Sequence, residues 1–125
     1  MEQEMIKRFA VDVLGCGCDD SVFNTIEHKR SYRLPSGITL SSRILIGGRL
    51  LIYLADVDSV TPADLKSIVR DGLQDRNSGG YNRLRVVVKT DTPDADLPGF
   101  NKSFMGVAER DDRTHLHVIS RSEAL

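Results

Sequence analysis

The sequence has no hydrophobic run longer than Leu-Leu-Ile-Tyr-Leu-Ala, Leu50 to Ala55. That length suits a strand; a helix crossing a bilayer needs roughly 20 apolar residues, so no membrane partner is expected. An excess of either charge is also missing. Seventeen Lys and Arg face 18 Asp and Glu, for a net charge of −1. No global field draws the chain toward nucleic acid or an anionic surface, and nucleic acid is not expected as a partner. Cysteine is scarce. Cys16 and Cys18 are the two in the chain, too close together to staple a fold, which points to the reducing cytoplasm. The opening stretch mixes acids among its apolar residues and reads against a secretory signal.

Several catalytic signatures are absent as well. Gly47-Gly48 and Gly79-Gly80 are followed neither by the Lys-Ser/Thr of a phosphate loop nor by the spacing of a dinucleotide fingerprint. No serine has a nucleophile-elbow context. The carboxylates fall in turns and on helix surfaces, so no acid–base pair is assigned and no reaction is fixed. There is no internal repeat, no low-complexity segment and no linker. With 125 residues, 40% of them apolar and 28% charged, the chain reads as a single domain over 1–125 with one core.

What is present is an α+β pattern. Met5, Ile6, Phe9, Ala10, Val13 and Leu14 recur at spacings of three and four, the mark of an amphipathic helix, and Gly15 ends it. A second short helix is expected from Asp19 or Asp20, with Val22, Phe23 and Ile26 as its buried stripe. His28 to Leu34 is basic and β-compatible. In Ile38 to Ile46, the residues Ile38, Leu40, Ile44 and Ile46 are expected to share one face. Gly47-Gly48 turns the chain into a strand with apolar residues on both faces, hence a central one. Thr61 caps a helix that begins at Pro62, with Asp64 placed for a capping box. Leu84, Val86 and Val88 face inward from the next strand. The Asp91–Asn101 stretch reads as an acidic loop, and Ser103–Ser120 as a final hairpin turning near Asp111 and Asp112.

These elements predict a two-layer α+β domain. Its sheet is mixed and mostly antiparallel, with about five to six strands and about three helices. The helix after Thr61 is long enough to set its flanking strands parallel.

Two function classes follow. In the first, Cys16 and Cys18 are the reactive residues of a thiol redox site at a Cys-Gly-Cys helix junction. A helix N-terminus after Cys18 would favour its thiolate, and Asp19 and Asp20 would oppose it. A variant of this reading adds His115 and His117, which alternate onto one strand face. Two thiolates and two imidazoles would then hold zinc or another thiophilic metal. Small cysteines can equally pack as hydrophobes under a tight turn. In the second class the protein is a non-enzymatic domain that binds a protein or an anion through a basic sheet surface. Lys29, Arg30, Arg33, Arg43 and Arg49 lie in a stretch without acids between Glu27 and Asp56, with Tyr32 and Tyr53 among them. An uncovered sheet edge would also allow a protein partner or a homodimer.

Overall fold

Apolar residues on both faces of one strand need cover on both sides, and the fold supplies it. The computed structural model describes residues 2–15, 24–108 and 111–123. Among them are α1 (Glu2–Arg8), continued by a π-helical turn (Phe9–Val13), then β1 (Ile26–Arg33), β2 (Thr39–Ile46) and β3 (Leu50–Asp56). After these come α2 (Pro62–Gly79), β4 (Arg83–Thr90), α3 (Pro93–Ala108), β5 (Thr114–Ser120) and a closing 3-10 turn (Arg121–Glu123). The five strands form one sheet in the order β1-β2-β3-β4-β5. The β1–β2 and β2–β3 pairs are antiparallel; β3–β4 and β4–β5 are parallel.

β3 is the central strand. Leu51, Tyr53 and Ala55 turn toward α2 and α3, where they meet Leu65, Ile68, Val69, Phe100 and Phe104. Leu50, Ile52 and Leu54 turn the other way, to Ile6, Phe9, Ala10 and Leu14 of the N-terminal segment. The sheet and the α2/α3 layer make the α+β body, and the N-terminal segment covers part of the opposite face. Burial of this many large aliphatic side chains, each worth roughly 1.5–3 kcal/mol, is the main stabilising contribution.

The capping box at Thr61 is in place. The Asp64 amide donates to Thr61 Oγ1 at 3.3 Å, and the Thr61 amide donates to Asp64 Oδ2 at 3.0 Å. α2 runs through Asn77 and Ser78 to Gly79 and ends at Gly80, whose φ of 70° is the left-handed conformation of a helix stop. On its inner face Gly72 lets the helix approach the sheet: a Cβ there would lie 2.7 Å from Leu84 Cδ2.

Three expectations fail against these coordinates. Ile38 and Leu40 pack on the α2/α3 side, whereas Ile44 and Ile46 pack on the other. The alternation reverses between Leu40 and Arg43, opposite Ser31, whose φ is 49°. The acidic loop and final hairpin are instead α3 followed by β5. Pro93 occupies the first helical position, where no amide donor is needed, and Phe100, Phe104 and Ala108 make a buried stripe at spacing four. The parallel β4–β5 pair follows from that crossover, so the sheet divides evenly between antiparallel and parallel neighbours. Finally, Ile26 begins β1 rather than ending a helix stripe.

Candidate anion-binding site

Polar side chains gather at four places. Two of them hold the fold. Arg43, 7% exposed, forks onto Asp75, with Nε and Nη2 donating to its two oxygens at 2.8 and 2.9 Å. The Tyr53 hydroxyl donates to the same carboxylate at 2.6 Å. The two hydrogen bonds and the charge of Arg43 hold Asp75 below its ordinary value despite burial, which acts in the opposite direction. Burial, with the Asp75 hydrogen bond next, pushes Tyr53 above its ordinary value. Arg76, 3% exposed, donates through Nη1 and Nη2 to Asp111 at 2.9 and 2.7 Å, and through Nη1 to Thr114 Oγ1 at 2.9 Å. That hydrogen-bonded guanidinium holds Asp111 down at about 2. These constellations tie α2 to the sheet and to the start of β5.

The third place is an open cleft of about 540 Å³ at the carboxyl ends of the parallel strands, lined by Asp58, Thr61, Thr90, Asp91, Thr92, Asp96 and Arg121 among others. Arg121 spans it, pairing with Asp56 at 2.7 Å, Asp58 at 3.0 Å and Asp91. The hydroxyls of Thr90 and Thr92 donate to Asp96. Each of these side chains thus has a partner within the chain. Asp91 and Asp96, expected in an acidic loop, serve here as local ion-pair and hydrogen-bond acceptors.

The fourth place differs. On the sheet face that the N-terminal segment partly covers, Arg83, Arg85 and Val87 of β4 alternate outward beside His115, His117 and Ile119 of β5, with Arg85 level with His115 and Val87 level with His117. Arg85 Nη1 lies 2.9 Å from His117 Nε2. A guanidinium only donates, so Nε2 must accept, and His117 is the neutral tautomer protonated at Nδ1. Burial, then Arg85 and His115, push its pKa down to about 4. Burial, Arg85 and Arg83 likewise lower His115, against a smaller opposing pull from Asp111. Arg85 is partly buried, and its Nε–H is fully buried with no hydrogen-bond partner. Burial and the nearby Arg83 lower its pKa, and no carboxylate acts to raise it.

Neither a family model, nor a curated protein, nor a solved structure matches this chain. The reading of the site therefore stands on its geometry.

Of the residues expected to carry chemistry, Cys16 and Cys18 lie outside the described residues, as does the helix expected from Asp19 or Asp20. His115 and His117 are on one strand face, as their alternation predicts, but in the company of two arginines. Among the described residues, no group of three or more His, Cys, Asp and Glu side chains could hold a metal ion, and no helix is long and apolar enough to cross a membrane.

The expected basic surface on β1 and β2 is broken up. Arg43 is committed to Asp75, and its guanidinium carbon sits 5.4 Å from the Tyr32 ring centre, with Lys29 Nζ 5.9 Å from the same ring. Tyr53 is buried among core residues. The sequence reading missed Arg83 and Arg85 because they flank valines in a strongly apolar strand. The signal was there: two arginines two residues apart must share a face.

Proposed function

We propose that this protein is a non-enzymatic interaction domain that binds an oxyanion on the β4–β5 face, through Arg85 and Arg83 with His115 and His117 beside them. The observation that carries the reading is the state of Arg85. Its charge is partly withdrawn from water, one Nη is satisfied by a neutral imidazole, and the buried Nε–H has no acceptor. A charge held in this way is costly unless an anion compensates it. Guanidinium donors in a fixed fork also match the oxygens of phosphate, sulfate or carboxylate groups.

The arrangement offers donors and positive charge, and no paired nucleophile and base, so it supports binding rather than bond making. Strand positions give the donors a rigid base. Arg83 is exposed and can meet the ligand from solvent, while Arg85 closes from within.

Titration of the protein with sulfate, followed by amide chemical shifts, tests the proposal. Shifts centred on Arg83–Val87 and His115–His117 that saturate, and vanish in Arg85→Met, would support it. Absence of saturable binding at low ionic strength would end it.

A further inference from the structure

The Arg85–His117 contact has two states, and their exchange bears on the anion reading, on which the following inference rests. The contact exists because His117 Nε2 carries a lone pair. If a proton from solvent bonds to that nitrogen, the ring becomes a donor at both nitrogens and can no longer accept from Arg85. Nη1 of Arg85 is then released, and two cations stand side by side. In the empty site this is unfavourable, because the surroundings of His117 are positive or apolar. Arg85 faces it from β4, and His115 flanks it on β5.

Arg83 lies one pleat further along β4, and Asp111, which acts on His115, is held by Arg76. The N-terminal segment packed on this sheet face carries Glu4, Lys7, Arg8 and Asp12. The field at His117 nevertheless comes from Arg85 and His115. A doubly charged tetrahedral oxyanion reverses the balance. It accepts from the released Nη1, from the Nε–H that has no partner, and from the new imidazolium.

We infer that binding of a dianionic oxyanion at this patch draws a proton onto His117, so that the site holds its ligand more tightly in mildly acid than in mildly alkaline solution. By linkage, the anion must raise the affinity for the proton as much as the proton raises the affinity for the anion. The direction agrees with the depressed free-state value of about 4. If the bound anion returns His117 to the ordinary imidazole value, affinity rises about tenfold between about pH 8 and about pH 5.5.

Sulfate is the probe, because its charge is constant over that range. Calorimetric titration of the whole chain at about pH 8 and about pH 5.5, the latter in two buffers of different ionisation enthalpy, reads affinity and proton uptake together. The expected result is about tenfold tighter binding at the lower pH, with uptake approaching one proton. His117→Gln keeps an acceptor for Arg85 but cannot gain a proton, and should bind sulfate with the same affinity at both pH values. Arg85→Met should lose binding at both.

Wild-type binding of equal strength at the two pH values without proton exchange would overturn the coupling and leave the anion site standing. Persistence of the pH dependence in His117→Gln, or its loss in His115→Gln alone, would overturn the assignment to His117. No sulfate binding by the wild type at either pH would sink the anion site itself, and the coupling with it.

Discussion

Asp75 is the side chain whose removal should cost the fold most for its size. It accepts both donors of the Arg43 fork and the Tyr53 hydroxyl. In Asp75→Ala these donors keep their places in the wall between sheet and α2 and lose their common acceptor. Breaking a buried ion pair from one side costs about 3–5 kcal/mol. The Asp75 side chain retains 23% exposure against 8% for Arg43, so water relieves part of the loss, and about 3 kcal/mol is the expected value. With a urea slope of about 1.5 kcal/mol/M, the midpoint should fall by about 2 M.

The companion variant removes the pair together. Arg43→Met with Asp75→Leu replaces two charges by apolar groups of similar bulk, and should recover most of the loss. A double variant less stable than Asp75→Ala, or an Asp75→Ala midpoint within about 0.5 M of wild type, would refute the claim that this buried pair couples α2 to the sheet.

Further outcomes follow from other contacts. Gly72→Ala should destabilise by about 1 kcal/mol in thermal or urea unfolding, because the added Cβ meets fully buried Leu84 at 2.7 Å and overpacking outweighs the better helix propensity. Asp111 titrates at about 2 in the fold, below its unfolded value. Its contribution is therefore present above about pH 4 and is lost as pH falls toward 2, and Asp111→Asn should flatten stability across that window. His117, also depressed, titrates at about 4. It charges more readily when unfolded, so the protein loses stability as pH falls from about 6.5 toward 4, and His117→Gln should remove that slope. Arg85→Met, which takes away a charge without a carboxylate, should leave the unliganded protein no less stable than wild type, as measured by its urea midpoint.

Much of the fold was legible from local signals. Thr61, Pro62 and Asp64 announce α2 because a helix start needs side-chain acceptors and tolerates a proline. The two-sided apolar pattern of Leu50–Ala55 announces a strand covered on both faces. α3 was hidden by Pro93, Pro98 and Gly99, turn-formers read as a loop. Its stripe of Phe100, Phe104 and Ala108 is short beside them. The face reversal on β2 turns on one backbone conformation at Ser31, on the neighbouring strand, which no periodicity in β2 can reveal.

The candidate site was half visible. His115 and His117 stood out by alternation, but their partners did not, because register between β4 and β5 decides who stands beside them. The positive stretch Lys29–Arg49 was more conspicuous in sequence, yet packing commits Arg43 to Asp75.

The measurement closest to the central claim is sulfate titration of wild type against Arg85→Met at low ionic strength, followed by amide shifts. Saturable binding with a dissociation constant on the order of 1 mM, mapping to Arg83–Val87 and His115–His117 and absent from the variant, is the predicted result. Equal binding by both proteins, or shifts centred on the Arg121 cleft instead, would contradict it.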